Sequence, residues 1–95
     1  MSLGILTLHI ELPGSRSLKE KRGRLKPLLT RLHREFNISA AEIGYQDAWS
    51  SALIACALVS NSNGHTQRAL QSVVVWVEHN WPDVTVLDDK IEIIF

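Results

Sequence analysis

Hydrophobic residues recur at every second position near the start of the chain. Gly4, Leu6, Leu8, Ile10 and Leu12 fall on one side, and Ile5, Thr7, His9 and Glu11 on the other. A period of two built from β-formers predicts a half-buried strand over residues 3–12. Pro13-Gly14 ends it, because proline gives no ladder donor and glycine permits the turn. The period then changes. Ser17-Leu18-Lys19-Glu20 is a capping-box pattern, in which the serine oxygen takes an orphan amide and the glutamate reaches back to the cap's own N–H. It predicts a helix running to about Phe36, with Leu18, Leu25, Leu29, Leu32 and Phe36 on one stripe and Leu28 beside it. Pro27 interrupts this pattern opposite the leucines, four residues after Gly23. Either the helix kinks on its wet side, or regular helix begins near Lys26 and residues 16–24 form a basic loop.

Ala41, Ile43 and Tyr45 alternate and predict a second strand over Ile38 to Tyr45, followed by a connection through Gln46-Asp47-Ala48-Trp49-Ser50. Ala52 to Val59 is apolar at nearly every position, as a central strand is. Asn61-Ser62-Asn63-Gly64 supplies a turn and cap candidates. A second helix is expected from about His65 to Asn80, with Thr66, Ala69, Leu70, Val73 and Val77 on one face. The β-branched run Val73-Val74-Val75 lowers its intrinsic propensity. Trp81-Pro82-Asp83 breaks the chain, and Val84 to Phe95 reads as a last strand with a bulge at Asp88-Asp89.

The order βαββαβ is that of a ferredoxin-like split βαβ sandwich. The expected class is α+β: a four-stranded antiparallel sheet with two helices on one face, in a single domain over residues 1–95. Right-handed crossovers put both helices on the same side. The other side is then open, exposing Ile5 and half of the third strand's apolar residues. Something should cover it, and a second copy of the chain is the simplest candidate, giving a homodimer through the open sheet face.

At 95 residues, 45% hydrophobic and 21% charged, the chain can fold around one core without a disulfide framework and is unlike a disordered segment. Its single cysteine, Cys56, lies in an apolar run and reads as a small core hydrophobe. No basic leader and apolar stretch opens the sequence, and no apolar run reaches the ~20 residues a membrane helix needs, so a cytoplasmic location without membrane contact is expected. The formal charge of zero hides a polarity. Residues 16–34 hold eight of the ten basic residues against one acid, Glu20, so that segment is +7 and the remainder −7.

His9, His33, His65 and His79 are scattered and there is no Cys-x-x-Cys, so no metal site is expected. Neither a Walker lysine motif nor Gly-x-Gly-x-x-Gly occurs, and no cofactor is expected. Gly14-Ser15-Arg16-Ser17 leads from a strand into a capped helix, where amides with Arg16, Lys19 and Lys21 could hold an anion; equally, Ser17 is only a cap and the cations a solvated face. An acylphosphatase of similar fold and length would use an arginine in this loop and an asparagine, parts that Arg16 and Asn61 or Asn63 could take. The chain lacks that family's Gly-x-Val-x-Gly and Asn-x-x-Asp-Gly runs. The basic segment suits phosphate contact with an RNA backbone, or contact with an acidic protein. Strands one and three offer no aromatic to stack a base, which disfavours single-strand recognition on the sheet. Trp49 is a candidate interface residue, with Ile5 on the open face.

Pro13-Gly14-Ser15-Arg16-Ser17-Leu18-Lys19-Glu20-Lys21-Arg22 resembles the opening motif of the YlxP-like family of small bacterial proteins. The resemblance continues in Phe36 to Ile43, in Gln46-Asp47-Ala48-Trp49 and in Val59-Ser60-Asn61, and covers nearly the whole chain. It implies a ferredoxin-like fold and no established activity. Genes of that family often lie near those for translation initiation factors and ribosome-binding factor A, which implies a ribosome-linked role. Pro27 departs from the family's pattern. The leading expectation is a binding protein that uses Arg16, Lys19, Lys21, Arg22 and Lys26 to contact RNA or a ribonucleoprotein such as the ribosome. The alternatives are a small acylphosphatase-like enzyme and a self-associating structural adaptor.

Overall fold

A computed structural model describes all residues, 1–95. The elements are β1 (Ser2–Glu11), α1 (Leu18–Glu35), β2 (Ser39–Gly44), β3 (Ser51–Ser60), α2 (Asn63–Asn80) and β4 (Thr85–Ile93). The strands form one antiparallel sheet in the order β2-β3-β1-β4, so the chain has the ferredoxin-like α+β fold.

The alternation in β1 sets the layers. Leu6, Leu8 and Ile10 are buried under the helices, while Leu3, Ile5, Thr7 and His9 are half-buried on the open face. In β3, Ala52, Ile54, Cys56 and Leu58 face the core, and Leu53, Ala55, Ala57 and Val59 the other way. Leu25, Leu28 and Leu32 of α1, and Leu70, Val73, Val74 and Val77 of α2, complete the core.

Leu12-Pro13-Gly14-Ser15 closes β1 with a turn in which the Ser15 N–H donates to the Leu12 carbonyl at 3.2 Å and Gly14 takes φ +79°. Proline then glycine is the type II arrangement, since only glycine adopts that φ without strain. Ser17 caps α1, its hydroxyl accepting from the Glu20 N–H at 3.0 Å. The Glu20 carboxylate reaches one residue further back than a strict capping box, to the Arg16 N–H at 3.1 Å.

α1 runs unbroken past Pro27, so the delayed start near Lys26 does not occur. Pro27 and Gly23 are both exposed, so the carbonyl deprived of its usual donor lies on the wet side, within reach of water. The buried stripe is also rotated from the expected one. Leu28 is fully buried and Leu29 only partly, because the inward row is Lys21, Leu25, Leu28 and Leu32.

Two bulges interrupt the ladders. His9 pairs with Asp88 and Ile10 with Val86, so the extra residue in β4 is Leu87 rather than Asp88-Asp89. Glu42 pairs with Ile54 and Gly44 with Leu53, leaving Ile43 as the extra residue in β2. At the other end of the sheet α2 sits close to β1. Buried Thr66 accepts from Ser2 Oγ at 2.9 Å and shares a hydrogen bond with Ser60 Oγ at 2.7 Å. A side chain at Gly4 would collide with Thr66 and Leu70.

Candidate functional site

Helix α1 presents the cations, and the sheet decides which are available. Lys21 is 1% exposed: its ammonium lies 2.7 Å from Glu42 Oε2 and donates to the Tyr45 carbonyl at 2.7 Å. Its charge is enclosed between α1 and the end of β2, which removes it from any set that meets a partner from solvent. Arg24 is also engaged. It forms a bidentate pair with Asp83 at 2.9 and 3.0 Å and donates to the Pro13 and Asp83 carbonyls, each at 2.8 Å, joining the β1–α1 turn to the α2–β4 connection. Arg31 pairs with Glu35 at 3.1 Å and lies 5.5 Å from the Trp76 ring centroid.

Arg16, Lys19, Arg22, Lys26 and Arg34 are exposed, and none has an anionic partner. At about 100° per residue, Lys19, Arg22 and Lys26 lie within roughly 60° of one another and form a single row along the helix. Arg16 sits just before that row and Arg34 near its far end. The nearest helix acids, Glu20 and Glu35, are held by the Arg16 N–H and by Arg31. Four of the five expected site residues therefore share one solvent face; Lys21 does not.

Arg16 and the two asparagines do not meet. Arg16 follows the end of β1 that pairs with the start of β3, whereas Asn61 and Asn63 follow the end of β3 that pairs with Ser2. They stand at opposite ends of a ten-residue strand, so the acylphosphatase pair is not assembled.

Trp49 is 58% exposed in the β2–β3 connection, at the same end as Arg16, and Ser50 accepts from the Leu12 N–H at 2.8 Å. Ile5 is half-buried on the open face among Ala57, Val59 and Leu3. One aromatic contact on that face comes from the residue just after β2: Tyr45, at φ +57°, stacks on His9 with centroids 4.8 Å apart. His9 Nε2 is buried there without a hydrogen-bond partner. β1 and β3 carry no Phe, Tyr or Trp on it. Cys56 is buried in the core, and burial pushes its thiol up to about 12.

The signal for Lys21 was present in the chain, since residues 21, 25, 28 and 32 follow helical spacing. A buried lysine also needs a partner, and spacing along α1 does not reveal Glu42 or the Tyr45 carbonyl. The ordering of Tyr45 over His9 had no local signal.

The fold and the site define a small ferredoxin-like α+β protein with a one-sided cationic helix. No helix is long and apolar enough to cross a membrane. The sequence matches, over residues 3–91, the family described as "Protein of unknown function (DUF503)". It is 44% identical over 68 residues to "Uncharacterized protein YlxP" of Bacillus subtilis (strain 168), a stretch covering 72% of this chain and 73% of that protein. The chain belongs to this YlxP-like family of unknown function.

Proposed function

We propose that this protein binds RNA or a ribonucleoprotein through the outer face of α1, with Arg16, Lys19, Arg22 and Lys26 as the contacts. The carrying observation is the row of exposed cations that no internal carboxylate neutralises. Unpaired cations on a rigid helix favour phosphate contact with little reorganisation, and each phosphate neutralised releases condensed counterions. Recognition through the backbone also fits an open sheet face whose two central strands lack stacking aromatics.

The test is anisotropy of labelled structured RNA, and co-sedimentation with ribosomal subunits, over a salt series. Wild-type affinity should fall steeply with salt, by about 0.7–0.9 log units per log unit of salt for each phosphate contacted. Arg22→Glu with Lys26→Glu should abolish binding while the fold persists. Unchanged binding in that double variant would sink this reading.

The open sheet face favours a second reading, self-association. Val59 is 62% exposed and Ile94 48%, and Leu3 and Ile5 lie beside them. An apolar surface of this kind, flanked on β4 by Asp88, Lys90 and Glu92, suits a second copy in an isologous pair. Sedimentation of the wild type as a dimer and of Ile5→Glu as a monomer supports it; a monomeric wild type at high concentration ends it.

A further inference from the structure

The two edges of the sheet are not equivalent. β4 carries Asp88, Asp89, Lys90 and Glu92 and a bulge at Leu87, the devices that blunt an edge against another strand. β2 reads Ser39-Ala40-Ala41-Glu42-Ile43-Gly44; its one charge, Glu42, is neutralised by Lys21, and its bulge lies at the far end. The main-chain groups of Ser39 to Glu42 on the outer side of β2 have no strand beside them. Above that edge, α1 and β2 line a cavity of about 230 Å³ formed by Arg22, Leu25, Lys26, Leu29 and Glu42. Leu25 and Leu29 make an apolar floor, and Arg22 and Lys26 a cationic rim.

We propose that the groove between α1 and β2 binds an extended acidic segment of another protein, added to the sheet as a fifth strand beside β2. Successive side chains of a strand alternate in direction, so every second side chain of the added segment faces α1. An apolar residue there covers Leu25 and Leu29, and Asp or Glu two positions away meets Arg22 and Lys26. Main-chain pairing supplies affinity and these alternate positions supply selectivity. Charge decides the occupant. A second copy pairing β2 with β2 would set the Arg22 and Lys26 of both copies against each other. An RNA strand would leave the apolar floor and the main-chain ladder unused. This site extends beyond the polyanion reading, sharing Arg22 and Lys26 with it but adding the β2 edge and the leucine floor.

The probe is a fluorescein-labelled octapeptide with Glu, Leu and Glu at alternate positions and Thr or Val between them. Controls carry Lys for Glu, or N-methyl groups on one or the other alternate set of amides. Binding to the full chain is followed by anisotropy, and amide exchange is read residue by residue. The acidic peptide should bind at least about tenfold more tightly than the lysine peptide and slow exchange in Ser39–Gly44 about tenfold. One N-methylated set should lose binding and the other retain it. Leu29→Gln, which leaves the charge unchanged, should weaken the peptide about tenfold and leave RNA affinity unaltered. The site is overturned if neither peptide binds, if both bind equally, if β2 is not protected, or if both N-methylated sets bind alike. RNA binding that fails while the peptide binds removes the polyanion reading and leaves this one intact.

Discussion

The Lys21 ammonium lies 2.7 Å from Glu42 Oε2, with the lysine 1% exposed and the carboxylate side chain 21%. The pair joins the first turn of α1 to the end of an edge strand, and the same ammonium holds the Tyr45 carbonyl where the backbone turns to φ +57°. Removing one member of a buried pair is costly because the other charge is stranded. Lys21→Met should therefore destabilise the fold by about 2–4 kcal/mol in urea unfolding, reduced from the fully buried case because Glu42 keeps some water. Adding Glu42→Gln should recover part of the loss. A folded Lys21→Met protein should bind polyanions as the wild type does, unlike Arg22→Glu with Lys26→Glu.

Arg24 secures the same end of the sheet from the other side. Arg24→Ala removes the bidentate bond to Asp83 and the bonds to two carbonyls. Asp83 is 54% exposed and readily rehydrated, so the expected loss is about 1–2 kcal/mol. Local amide exchange should rise first at Ser15 and Val84.

Pro27 costs α1 one hydrogen bond on its exposed face. Pro27→Ala restores a donor for the Gly23 carbonyl but frees the unfolded chain, and the net gain should be about 1–3 kcal/mol. An unchanged thermal midpoint would show that water already satisfies that carbonyl fully.

Gly4 marks a close approach of β1 and α2, with no room for a side chain. Gly4→Val forces Thr66 and Leu70 away and disturbs the Ser2–Thr66–Ser60 hydroxyl network, for an expected loss of about 2–3 kcal/mol. Gly23→Ala, at an open site on α1, should instead stabilise by about 0.5–1 kcal/mol.

Cys56 titrates at about 12 when folded against an ordinary value of 9.0, because burial disfavours the thiolate. The unfolded chain therefore loses its proton first. The contribution is fully present below pH 9 and falls away as pH rises from 9 towards 12. Cys56→Ala should flatten that part of the stability profile. The wild-type thiol should resist iodoacetamide at pH 8 until the protein is unfolded.

The amino-acid sequence by itself determined the six elements, their order and therefore the ferredoxin-like fold. These depend on local periodicity and punctuation: period two in β1, leucines at helical spacing in α1, a serine cap, and Pro-Gly at the first turn. It also determined the concentration of cations in α1, since composition along a helix needs no tertiary partner to be read. Only the tertiary structure decided which cations remain free. Lys21 is enclosed because α1 crosses β2 where Glu42 and the Tyr45 carbonyl wait, and Arg24 is engaged because a connection 59 residues away returns to the same end. It likewise separated Arg16 from Asn61 and Asn63, and left the β2 edge open beneath a leucine-floored groove. Periodicity reports which way a side chain points from its own backbone, whereas a partner distant in sequence depends on how that backbone is laid against another.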